Sequence, residues 1–65
     1  MCEANVFMAR DDGGEDLLMD GVDLVEFEEQ SMVRLVSIFG DQLAVKARIR
    51  TMSLANHRIL LEKAP

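Results

Sequence analysis

Sixty-five residues carrying a formal charge of −5, 49% hydrophobic and only 5% aromatic, describe one small acidic domain with a thin core, since a chain this short buries only about 60% of the surface it exposes when unfolded. The negative field repels phosphate, which weighs against nucleic-acid binding. No run approaches the roughly 18 apolar residues of a membrane-spanning helix and no signal-peptide pattern opens the chain, so the expectation is a soluble cytoplasmic protein.

The first segment, Met1 to Ala9, alternates. Cys2, Ala4, Val6 and Met8 fall on one face of a strand, with Glu3, Asn5 and Phe7 on the other. Cys2 is the sole cysteine, so an internal disulfide is excluded and a metal or self-association is left to reinforce the core. One cysteine suits a reducing compartment. Once Met1 is removed, Cys2 offers a thiolate and an amine on adjacent carbons. These close a five-membered chelate around Ni(II) or Cu(II), and the backbone nitrogen of Glu3 is a further donor. A lone cysteine also serves simply as a small buried hydrophobe.

Asp11-Asp12-Gly13-Gly14 marks a turn. The carboxylates Asp11, Asp12, Glu15, Asp16, Asp20 and Asp23 match no calcium-loop spacing and read as a solvated hairpin. A brief helix is admissible from Glu15 to Asp20, and Asp20-Gly21 reads as a second turn. In Val22 to Phe27 the apolar phase slips from Val22 and Leu24 to Val25 and Phe27, as a bulge or sharp bend requires. After a turn at Glu28 to Ser31, the strand Val33 to Phe39 is apolar on both parities. Such a strand belongs to a closed barrel with one side covered, or to a subunit interface.

Beyond Gly40-Asp41, Leu43 to Arg50 alternates cleanly. Leu43, Val45, Ala47 and Ile49 oppose Ala44, Lys46, Arg48 and Arg50. The basic stripe is the local argument for RNA or an acidic partner; alternating cations on a wet face are also ordinary. Ala55-Asn56 ends this region, and His57 to Lys63 forms the last strand. His57, the only histidine, reads as solvated, although it has the softness for a metal role beside Cys2. The methionines read as core or interface fillers. No Gly-rich phosphate loop, CxxC or paired His/Asp set is present, so enzyme chemistry is not expected. Short strands joined by turns predict an all-β fold, a small antiparallel β-barrel of SH3 or Sm type occupying residues 1–65 as a single domain, with an OB-like barrel as the alternative.

Met-Cys-Glu-Ala-Asn-Val-Phe at residues 1–7 and Asp-Asp-Gly-Gly at 11–14 resemble the CooT-type nickel-binding proteins, accessory factors in carbon monoxide dehydrogenase maturation. Leu17 to Asp23, Arg34 to Gly40 and His57 to Lys63 fit the same pattern. The resemblance implies a homodimer of small barrels holding one Ni(II) at the interface through the cysteine matching Cys2 in each subunit, with the Glu3 backbone nitrogen as a second donor. It also implies a nickel-dependent client such as carbon monoxide dehydrogenase. A Met-Cys start is similar as well to small hydrogenase-assembly chaperones that carry iron, but the proline usual there is missing. Rival expectations are an Sm-like RNA-binding module using Lys46, Arg48 and Arg50, and an adaptor that binds a protein partner.

Overall fold

The computed structural model describes residues 3–65. Five strands, β1 (Ala4–Ala9), β2 (Glu15–Glu28), β3 (Met32–Ser37), β4 (Gln42–Ser53) and β5 (Arg58–Lys63), close into a barrel in sequential order. Four pairings are antiparallel. The ring is completed by a parallel seam between β1 and β5, with Val6 opposite Ile59 and Met8 opposite Leu61. The small all-β barrel expected from the sequence is thus the fold, with this seam as its parallel pairing. Closure leaves no strand edge between β1 and β5 to recruit another chain.

The core is set by alternation. Val6, Val22, Val33, Leu35, Ala47, Ile59 and Leu61 are buried, and Ala4, Met8, Met19, Val25, Leu43, Val45 and Ile49 pack against them. The dry face expected for Leu43 to Ile49 is therefore the inner face of β4. Among the described residues, Ser37 is the one buried polar residue. Its hydroxyl accepts hydrogen bonds from the N–H groups of Phe39 and Asp41 at 3.1 and 3.2 Å, which satisfies backbone donors where the β3–β4 turn leaves the barrel.

Three local expectations are corrected. Glu15 to Asp20 is strand, not helix: Glu15, Asp16, Leu17 and Met19 pair with Ala9, Met8, Phe7 and Val6, and cross-strand pairing outweighs so short a helical preference. Asp20-Gly21 is not a turn that ends a strand but an irregularity within the continuous 14-residue β2. On the β1 side one register shift spans it, between Met19 and Val22, another precedes it, between Leu17 and Met19, and Gly21 has φ +61°, a conformation glycine adopts without steric cost. The bulge expected where the apolar phase slips between Leu24 and Val25 is present as a register shift against β3, one step earlier, between Val22 and Leu24. Finally, β3 ends at Ser37, so Ile38 and Phe39 sit in the turn and are exposed.

Candidate functional site

Cys2 lies outside the described residues. Glu3, next in the chain, is exposed and directly precedes β1. The turn between β4 and β5 folds over this point. His57, at φ +52°, accepts the Asn5 N–H at its carbonyl oxygen at 2.8 Å and places its ring Nδ1 3.1 Å from the carbonyl oxygen of Glu3. Two contacts, one of backbone and one of side chain, thus fasten the β4–β5 turn to the start of β1.

The Glu3 carbonyl can only accept, so the 3.1 Å contact is a hydrogen bond when Nδ1 carries the proton. In the neutral ring, Nε2 then keeps its lone pair. Imidazoles that serve metals are commonly oriented in this way, through a carbonyl partner on the opposite nitrogen. Nothing in the spacing along the chain brings the lone histidine near the amino terminus. The parallel β1–β5 seam does so, because it sets the first residues of both strands side by side. Among the described residues there is no group of three or more His, Cys, Asp or Glu side chains positioned to hold a metal.

Beside His57 opens a cleft of about 240 Å³, floored by Ala4, Val22 and Ile59 and walled by Met52 and Leu54. Leu54 is 79% and Met52 47% exposed. The methionines divide accordingly: Met8 and Met19 pack on the core, while Met52 faces the cleft.

The other candidate surfaces are neutralised within the chain. Arg48 and Arg50 donate to the two oxygens of Glu62 at 2.6 and 2.8 Å, holding its carboxyl below the usual range, Arg50 contributing most. Only Lys46 of the expected basic stripe lacks an ion-pair partner among the described residues, which removes most of the electrostatic footprint an RNA-binding face needs. In the acidic hairpin, Arg10 binds Asp16 at 2.5 Å and Asp12 at 3.1 Å. These bonds, that to Asp16 foremost, raise the guanidinium's pKa. Asp12 also accepts the Gly14 N–H at 2.8 Å. Paired in this way, Asp12 and Asp16 brace the hairpin. Arg58 pairs with Glu15 and lies 4.3 Å from the centre of the Phe7 ring, so one side chain at the start of β5 contacts both β2 and β1.

A small closed five-stranded barrel with a histidine turn fastened to the start of its first strand defines the class. Residues 1–62 match the family model of CooT, the CO dehydrogenase accessory protein, and the chain belongs to that family. A crystal structure described as a CooT protein, from Carboxydothermus hydrogenoformans, superposes with a TM-score of 0.88 at 38% identity, covering 98% of this chain and 100% of that one. No curated protein matches the chain. Among the described residues, no helix is long and apolar enough to cross a membrane.

Proposed function

We propose that this protein binds Ni(II) and stores or delivers it for CO dehydrogenase maturation in the cytoplasm, acting as a homodimer in which Cys2 of each copy supplies a thiolate. The observation that carries the reading is that the family match begins at residue 1 and so takes in the chain's sole thiol. Two thiolates and two nitrogens, one of each from every copy, make a closed planar donor set that suits Ni(II) and that one copy cannot complete. The backbone nitrogen of Glu3 is the nitrogen donor when Met1 is retained, and the Cys2 amine is available when it is removed.

The donor chemistry fits. Glu3 is exposed and its peptide is held on the carbonyl side by His57, which limits the freedom that a chelating segment must lose on binding. A metal that binds only the paired form also stabilises it by mass action. The client enzyme follows from the family's role as accessory proteins of CO dehydrogenase.

Nickel is titrated into tag-free protein and into Cys2→Ser, with thiolate-to-nickel charge-transfer absorption and native mass spectrometry as readouts. One nickel per two chains, with the band absent in Cys2→Ser, is the expected result. Equal uptake by both proteins overturns the reading.

A further inference from the structure

The β3–β4 turn presents an aromatic ring that the fold does not need. Phe39 is 76% exposed, yet its backbone is held from several sides. The Phe39 N–H donates to the Ser37 hydroxyl at 3.1 Å, the Asp41 N–H to the same oxygen at 3.2 Å, and the Ile38 N–H to the Gly21 carbonyl at 2.8 Å. A Cβ added at Gly21 would sit 3.5 Å from Ile38 and 3.7 Å from Phe39. The pair therefore lies within van der Waals reach of the β2 irregularity at Gly21. An exposed aromatic on a braced turn has already lost much of the conformational entropy that binding would cost, and aromatics of this kind dominate interface energetics.

Charge selects what covers it. Asp20 adjoins Gly21 and Asp41 follows the ring by two residues, and neither has an ion-pair partner among the described residues, whereas the five arginines are all paired. Acidic flanks oppose an anionic membrane or a nucleic acid. They also oppose a second copy, because two-fold pairing of this patch would set like carboxylates against each other. Resting on the accessory role proposed above, we infer that the Ile38–Phe39 turn is the docking site for the client enzyme, inserting Phe39 into an apolar pocket flanked by lysine or arginine, at a surface separate from the metal-binding terminus.

The probe is purified CO dehydrogenase, with affinity measured by biolayer interferometry against wild type, Phe39→Ser, Asp20→Asn/Asp41→Asn and Cys2→Ser. Phe39→Ser is expected to weaken binding at least about tenfold, as loss of an aromatic hot spot does. The double asparagine variant, which leaves the ring and turn backbone in place, is expected to slow association and flatten the salt dependence. Cys2→Ser is expected to dock as wild type does. Thermal melts of all four confirm folding. Wild-type affinity in Phe39→Ser, salt-independent docking, absence of docking by wild type, or dissociation of a homodimer by Phe39→Ser each overturns the inference. Failure of the nickel reading is separate, since it appears as equal nickel uptake by Cys2→Ser while docking persists.

Discussion

His57 Nδ1 stands 3.1 Å from the carbonyl oxygen of Glu3, although the two residues are 54 positions apart in the chain. The ring thereby holds the peptide at the start of β1, while the backbone of the same residue is held separately by Asn5. These two roles can be separated by substitution. Glycine adopts φ +52° without the penalty a side chain carries, so His57→Gly removes the ring and spares the turn. The expected outcome is a melting temperature within a few degrees of wild type and a nickel affinity about 10- to 100-fold lower, the range typical of lost outer-shell partners. Isothermal titration calorimetry checks it, and an unchanged affinity shows that the ring only staples the turn.

Gly21 carries a different constraint. Its φ of +61° lies in the left-handed region, but the space around it is open to a methyl at ordinary van der Waals contact. Gly21→Ala should therefore destabilise by about 1–2 kcal/mol through the backbone alone. Gly21→Val should cost more, because a branched side chain at positive φ is strained and must also displace Phe39. Urea denaturation of both variants measures the difference. Equal losses would show that crowding at Phe39 contributes nothing.

Much of this architecture is legible in the sequence because period-two burial is a local signal. Leu43, Val45, Ala47 and Ile49 declare the inner face of β4, and the slip after Leu24 declares a bulge that lies one step earlier, between Val22 and Leu24. What escapes is information carried by pairing. Glu15 to Asp20 has no alternation of its own and becomes strand only because β1 lies alongside it. Gly21 reads as a turn because sequence cannot distinguish a glycine that reverses the chain from one that kinks it. The nearness of His57 to Glu3 depends on the parallel seam, a contact between the two ends of the chain that no spacing encodes. For Cys2 the sequence offers a chelating position and a resemblance to a family, and its place in the fold lies outside the described residues.

Leu61 is fully buried, faces Met8 across the parallel seam and Ile49 across the antiparallel one. It is therefore a wedge shared by both closures of the barrel. Leu61→Ala should lose about 2–5 kcal/mol by combining lost transfer energy with a residual cavity. A 65-residue domain has only about 3–10 kcal/mol of stability in total. A loss of that size is a large share of the total, so the variant should melt well below wild type, as circular dichroism would show. A cooperative melt matching wild type would mean that the seam repacks around the missing side chain.

Glu62 binds both Arg48 and Arg50, and its carboxyl is held below the ordinary value of 4.5 by these bonds. A depressed carboxylate pKa means that the unfolded chain takes up the proton first. The contribution is then fully present above the ordinary carboxylate range and is lost as pH falls through the lowered folded value. Because the pair is solvent-accessible, the effect should also shrink with salt. Glu62→Gln should melt less sharply apart from wild type at acidic pH than at pH 7, the two curves converging as wild-type Glu62 protonates. The substitution also leaves Arg48 and Arg50 without their carboxylate and beside Lys46 on the same outer face of β4, so it should create a weak, salt-sensitive affinity for heparin that wild type lacks. Differential scanning calorimetry from pH 7 to pH 3 tests the first expectation and heparin chromatography the second. Retention of wild type equal to that of Glu62→Gln would show that the ion pairs do not mask the stripe, and would restore the case for an anionic partner at β4.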